Sequence, residues 1–66
     1  MDFIKAAILS TLLTNPGIDT VDLGHEVYNK IGVTVDITLT KAEELIEEGL
    51  VKKEYDWRSH TQYYLG

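Results

Sequence analysis

The cationic side chains of the last third of the chain are the residues best suited to chemistry. They fall within nine consecutive positions: Lys52, Lys53, Arg58 and His60. Residues 1–49, by contrast, hold three lysines against nine acids. Each cation that neutralises a phosphate releases counterions and adds salt-dependent affinity for a polyanion. Such residues could contact the backbone or minor groove of a nucleic acid. The alternative is an ordinary edge hairpin kept from aggregating by its lysines, and the charge pattern alone leaves both interpretations open.

A second group of candidate contact residues lies around the start of the third predicted helix: Thr34, Thr38, Thr40 and Lys41. Threonine can hydrogen-bond a base edge and touch a thymine methyl, and lysine can reach guanine or phosphate. The same threonines can instead be helix caps and β-formers, and the lysine a solvated charge. The pattern leaves both interpretations open.

Trp57 lies near the tip of a predicted hairpin, where its ring could stack on a base or enter a partner. Aromatic side chains more often serve burial. We therefore expect this ring to fold over the sheet and pack against Tyr55 or Tyr63.

Neither a metal site nor a catalytic site is predicted. His25 and His60 are far apart, and no cysteine or suitably spaced carboxylate set accompanies them, so a zinc site is not expected. No nucleophile with a base and an orienting residue, and no phosphate-binding glycine loop, is visible. We predict no cofactor, no metal and no enzymatic activity.

Length and composition restrict the class of protein. The 66 residues allow one domain, 1–66, with a marginal core. An apolar share of 44% excludes a disordered chain, no apolar run approaches the roughly 20 residues of a membrane span, and no signal peptide is visible. We expect a cytoplasmic protein without membrane contact whose marginal core relies on idealised packing, on a partner or on self-association.

Apolar periodicity predicts three helices and then a hairpin. The first covers residues 2–14 and stops at Asn15-Pro16-Gly17, because proline cannot continue the helical hydrogen bonds. The second begins at Asp19 or Thr20 and ends at Gly32.

The third helix runs to Glu48 and has two possible beginnings. One is near Thr34 or Asp36, and the other is the capping box Thr40-x-x-Glu43. Residues 50–56 and 61–65 follow as two strands joined by a loop of about four residues.

This order of elements resembles the winged helix-turn-helix family. The segment Leu45-Ile46-Glu47-Glu48-Gly49-Leu50-Val51 is similar to the family's junction between recognition helix and wing, and Tyr63-Tyr64-Leu65 is similar to the end of its second wing strand. The resemblance implies an α+β fold with a recognition helix at about 34–48 in the major groove and a wing at about 50–65 on the backbone. It implies a small transcriptional regulator that binds double-stranded DNA.

Two features depart from the family pattern. The turn between the second and third helices looks stretched, because Leu23–Ile37 gives no clean helix-turn-helix pattern. The predicted recognition helix also carries four acids: Glu43, Glu44, Glu47 and Glu48.

The net charge of −5 would make a single copy bind DNA feebly. We therefore expect a homodimer formed through helix one, which would place two half-sites about one helical turn apart. The alternative is an acidic winged-helix interaction module or inhibitor that uses its acidic face on another protein and does not bind DNA.

Overall fold

The computed structural model describes residues 2–66, which form three helices and a three-stranded antiparallel sheet. In chain order the elements are α1 (Phe3–Thr14), β1 (Ile18–Asp19), α2 (Thr20–Ile31), α3 (Val35–Glu47), β2 (Val51–Tyr55) and β3 (Thr61–Leu65). The strand order is β1-β3-β2. The predicted α+β class, with three helices before a hairpin, is confirmed.

The helix ends follow from local capping chemistry. The Asp2 carboxylate accepts hydrogen bonds from the backbone N–H groups of Ile4 and Lys5 at 2.7 and 3.2 Å, so α1 is capped at its first turn. Asp19 caps α2 in the same way, through the N–H of Asp22 at 2.8 Å. Gly32 ends α2 with φ +71°, a left-handed conformation that glycine adopts without a steric penalty.

The start of α3 settles the alternative between its two predicted beginnings. The helix begins at Val35, one residue after Thr34, so the earlier start is correct. Thr40 lies inside the helix, where its hydroxyl donates to the Asp36 carbonyl at 3.0 Å instead of capping a helix end.

The short strand β1 is absent from the sequence-based prediction. It pairs antiparallel with β3, on the side away from β2: Ile18 pairs with Tyr63, and Asp19 pairs with Gln62. Two residues are too few to show an alternating pattern. This strand exists because β3 supplies a partner that is more than 40 positions away in the sequence.

The core lies between the three helices and the inner face of the sheet. Its buried apolar side chains are Ile8, Leu12, Leu23, Val27, Ala42, Leu45, Val51 and Tyr63. All three helices and both hairpin strands contribute, so the hairpin is part of the domain's only buried cluster among residues 2–66. In the same range, no helix is long and apolar enough to cross a membrane.

An ion pair between Asp2 and Lys41 joins the start of α1 to α3. The Lys41 ammonium lies 2.9 Å from the second carboxylate oxygen of Asp2. The Lys41 hydrogen bond and the two backbone N–H donors outweigh partial desolvation and lower the pKa of Asp2 to about 2. One carboxylate therefore caps a helix and ties two helices together.

The depressed pKa of Asp2 predicts a pH-dependent loss of stability. Between its ordinary value of 3.8 and about 2, the unfolded chain binds a proton that the folded chain does not, so the free energy of unfolding falls as the pH falls through this window. Asp2→Asn should flatten the dependence in denaturant titrations between these pH values. Lys41→Gln should move the Asp2 transition back toward its ordinary pH, and an unchanged transition in both variants would contradict the assignment.

Candidate nucleic-acid interface

Helices α2 and α3 form a close pair joined by three residues. Gly24 in α2 is buried, and a Cβ placed on it would lie 2.7 Å from Val35 Cγ2, so only glycine lets the start of α3 approach this closely. The connection consists of residues 32–34. The expectation of a stretched turn was wrong, because Val33 and Val35 belong to the turn and to α3 rather than to an extended segment.

The predicted contact residues at the start of α3 fall into two environments. Thr34 and Thr40 are exposed, and the Thr34 hydroxyl donates to the Asp36 carboxylate at 2.6 Å. This hydrogen bond holds the pKa of Asp36 below its ordinary value. Thr38 is completely buried. Thr38 therefore leaves the set of candidate base contacts, because helical periodicity turns it toward the core.

Lys41, the one cation in α3, faces the start of α1. Its ammonium contacts Asp2 at 2.9 Å and Glu44 at 3.9 Å, and the hydrogen bond to Asp2 raises its pKa. The exposed side chains along the outer stripe of α3 are Asp36, Thr40, Glu43 and Glu47. This stripe, which we call the α3 outer stripe, is acidic.

The two wing lysines point to opposite faces of the hairpin. Val51 is buried, and the alternation of a strand therefore turns Lys53 toward the helices and Lys52 away from them. Lys53 bonds Glu43 of α3 at 2.7 Å, with 29% of its side chain exposed. Lys52 is 58% exposed, 3.6 Å from Glu54 and 5.8 Å from the centre of the Tyr64 ring.

The wing tip, residues 56–60, is organised by Asp56. Its Oδ1 accepts the backbone N–H of Arg58 at 2.8 Å and that of His60 at 2.9 Å. Its own N–H donates to the His60 carbonyl at 3.0 Å. The two donors to Oδ1, with His60 contributing most, keep the pKa of Asp56 below its ordinary value. Sequence reasoning missed this role, although aspartate at the first position of a turn is its usual signal.

Trp57 does not pack on the sheet. Its side chain is 87% exposed, and the Arg58 guanidinium lies 5.1 Å from its ring centre. The prediction of packing against Tyr55 or Tyr63 was wrong, because Asp56 turns the chain immediately after β2. Arg58 and His60 are exposed beside it.

A metal site is a separate question. Within residues 2–66, no cluster of three metal-ligating side chains is present.

Solved structures superpose on the full length of the chain. F-93 of SSV1 has a TM-score of 0.87 at 29% identity, and the match covers 100% of this chain and 72% of F-93. The PcaV transcriptional regulator from Streptomyces coelicolor and a MarR-family transcriptional regulator from Silicibacter pomeroyi each give 0.85 over the whole chain, at 22% and 23% identity. The chain has the winged helix-turn-helix fold. The predicted resemblance is confirmed.

The winged-helix domain corresponds to less than half of each of these two regulators, 45% and 42% of their lengths. At these identities the two regulators show the fold alone. No family model matches the sequence, and no curated protein matches it.

The buried hydroxyl of Thr38 yields a test of its placement. Among residues 2–66, its Oγ1 has no hydrogen-bond partner. Thr38→Val should raise the free energy of unfolding by about 1 kcal/mol, because an unsatisfied buried polar atom is replaced by a methyl group. The measurement is chemical denaturation.

Thr11→Val is the matched control. Thr11 is equally buried, but its hydroxyl donates to the Ala7 carbonyl at 2.8 Å and accepts from Lys30 at 2.9 Å. We expect this variant to lose about 1 kcal/mol. A destabilised Thr38→Val variant would show that the Thr38 hydroxyl has a partner.

Proposed function

We propose that this winged-helix domain is a small DNA-binding transcriptional regulator that acts as a homodimer in the cytoplasm and has no enzymatic activity. The observation that carries the proposal is the joint placement of a closely packed α2–α3 pair and an outward-pointing cationic wing tip in one winged-helix fold. In the helix-turn-helix mode of binding DNA, the first turns of the recognition helix, here α3, enter the major groove. The regulators among its structural neighbours support the proposal at the level of the fold.

Three exposed side chains near the start of α3 are suited to base contacts. Thr34 and Thr40 bring hydroxyl groups, and Ile37 brings an exposed apolar surface that a thymine methyl can contact. We retain both threonines as candidates. Glu43 and Glu47 lie about one and two turns beyond Thr40 and would be held farther from the groove, whereas Asp36 is exposed among the candidate contacts and holds the Thr34 hydroxyl.

Phosphate contacts would come mainly from the wing, because its outer cations pair loosely with carboxylates, at 3.6–3.8 Å, and keep more than half of each side chain exposed. Lys52, Arg58 and His60 are exposed on the hairpin. Lys53 would have to exchange Glu43 for a phosphate, and surface ion pairs contribute little enough for such an exchange. Lys41 is held more closely, between Asp2 and Glu44, and is the weakest candidate of the predicted set.

Few phosphate contacts per copy make a second copy necessary for useful affinity. We place the dimer contact on the outer face of α1, which carries Phe3, Ala6, Ser10 and Leu13 and no charge. In an antiparallel pair about a twofold axis, Phe3 of one copy would meet Leu13 of the other, and Ala6 would meet Ser10. The two small residues at the centre would let the helices approach closely. An uncharged face also suits two chains that each carry a net charge of −5.

Binding to duplex DNA should depend on salt through the wing cations. In fluorescence anisotropy titrations on mixed duplexes, affinity should fall with salt, and Lys52→Gln or Arg58→Gln should reduce the slope of log K against log salt by about 0.9 for each phosphate that the variant no longer neutralises. Asn29→Asp makes the same change of net charge on α2 and should leave the slope nearly unchanged. Equal effects from all three variants would show that net charge, not the wing, governs binding.

The dimer is tested by its mass in solution. Leu13 on α1 and Val21 on α2 are matched exposed aliphatic residues, with 70% and 73% of their surface accessible. Leu13→Lys should convert a dimer to a monomer in light scattering, because it would bury a charge at the contact. Val21→Lys should leave the mass at twice that of the chain. A monomeric wild type, or equal effects of both substitutions, would contradict the contact.

The acidic α3 outer stripe favours a second candidate function, an interaction module for a basic protein. Glu43 is already held by Lys53, but Asp36 and Glu47 are exposed on the same stripe. Absence of DNA binding at low salt would select this function. The experiment is then a pull-down from cell extract with the wild type and with Glu47→Lys, and only the wild type should retain the partner.

A further inference from the structure

Trp57 is the single tryptophan of the chain and stands at the end of the wing with its ring in solvent. Burial of an indole is favourable, and the exposed Tyr55 two residues earlier offers an aromatic neighbour. The turn at Asp56 nevertheless directs the Trp57 ring away from the hairpin, and 87% of its surface is accessible.

The loop that presents Trp57 is ordered by its own hydrogen bonds. Asp56 accepts from the N–H groups of Arg58 and His60 through Oδ1, and its carbonyl accepts from Ser59 at 2.9 Å. Ser59 adopts the left-handed conformation, with φ +64°, that closes the turn. A tip held in this way loses little conformational entropy when it meets a partner.

The surroundings of the ring indicate the chemistry of that partner. The Arg58 guanidinium lies 5.1 Å from the ring centre, and His60 is exposed in the same loop. Asp56 is the nearby acid: its side chain is only 16% exposed, and its Oδ2 lies 3.7 Å from the Arg58 guanidinium and 3.8 Å from His60 Nδ1. Arg58 and His60 nevertheless keep 55% and 60% of their side chains exposed. The tip therefore combines an exposed aromatic ring with the outward-facing guanidinium of Arg58 and the imidazole of His60, which suits an anionic ligand whose bases can stack on the ring.

We propose that Trp57 is an apolar wedge that enters the minor groove of duplex DNA and inserts between two base pairs, with Arg58 beside it in the groove. The inference rests on the proposed DNA-binding function. Apolar side chains that enter the minor groove unstack a base step and bend the duplex. Pyrimidine–purine steps unstack most easily, and a narrow groove attracts arginine. A Trp57 wedge would therefore prefer DNA sites that contain a flexible base-pair step, although it makes no hydrogen bond to a base edge.

Tryptophan fluorescence reports on the wedge directly, because Trp57 is the only source of indole emission in the chain. Titration of the wild type with a short duplex that has a central TA step should quench the emission and reduce the access of acrylamide to the ring. Trp57→Ala should weaken binding to this duplex about tenfold, as expected for the loss of one stacking side chain. Energy transfer between dyes at the duplex ends should show a bend that this variant does not produce.

Tyr55→Ala is the matched control, since Tyr55 is an exposed aromatic on the same hairpin but behind the tip. It should bind and bend DNA as the wild type does. Thermal unfolding followed by circular dichroism checks that both variants fold, which their exposure predicts.

Two results would overturn the wedge while leaving the DNA-binding function in place. One is wild-type affinity and bending by Trp57→Ala with Trp57 still open to acrylamide in the complex. The other is equal shielding of Trp57 by single-stranded and duplex DNA, which would indicate stacking on unpaired bases. Failure of the wild type to bind any duplex at low salt would overturn both proposals.

Discussion

Burial of Val51 and Tyr63 against the helices determines how every other side chain on the hairpin is oriented. These two residues are the strand members of the core, and successive side chains of a strand alternate between its faces. With Val51 turned inward, Lys53 faces α3 and Lys52 faces solvent. A shift of one residue in the register would exchange the two lysines and expose the core. The electrostatics of the wing is therefore a consequence of apolar packing.

The surplus of acids decides which cations remain available for a ligand. Lys5 contacts Glu44 and Glu48, Lys41 contacts Asp2, and Lys53 contacts Glu43. These pairs join α1 to α3 and α3 to β2, so several lysines tie the small domain together at its surface. The wing projects beyond the acids of the helices, and its outer cations keep most of their surface in solvent. The position of a cation in the fold, more than the net charge, therefore decides whether it is a candidate for ligand binding or part of a stabilising ion pair.

The wing tip and the outer face of α1 both leave large apolar side chains in solvent. At the tip, Trp57 stands among cations; on α1, Phe3 and Leu13 stand with no charge between them. The chemical surroundings differ, and so do the partners proposed for them. A charged and aromatic tip is suited to a nucleic acid, whereas an uncharged helix face on an acidic chain is suited to a second copy of itself.

Local signals in the sequence were sufficient for the helices, the hairpin and the class of fold. Asp19, Pro16 and Gly32 act on backbone groups within a few residues of themselves, so capping and helix termination can be read from neighbours in the chain. Alternation likewise marked the two hairpin strands. The order of these elements then pointed to a winged helix, which the superposition with solved structures bears out.

Only the tertiary structure decided which of the candidate residues are accessible. Thr38 and Lys41 look equivalent to Thr40 in the sequence, yet packing buries Thr38 and Asp2 binds Lys41, a partner 39 positions away. Strand β1 escaped prediction for the same reason, because it needs a distant strand as its partner. The exposed ring of Trp57 escaped prediction for a local reason, because the turn made by Asp56 was missed. Contacts between residues that are far apart in sequence leave no local pattern, and accessibility is determined by those contacts.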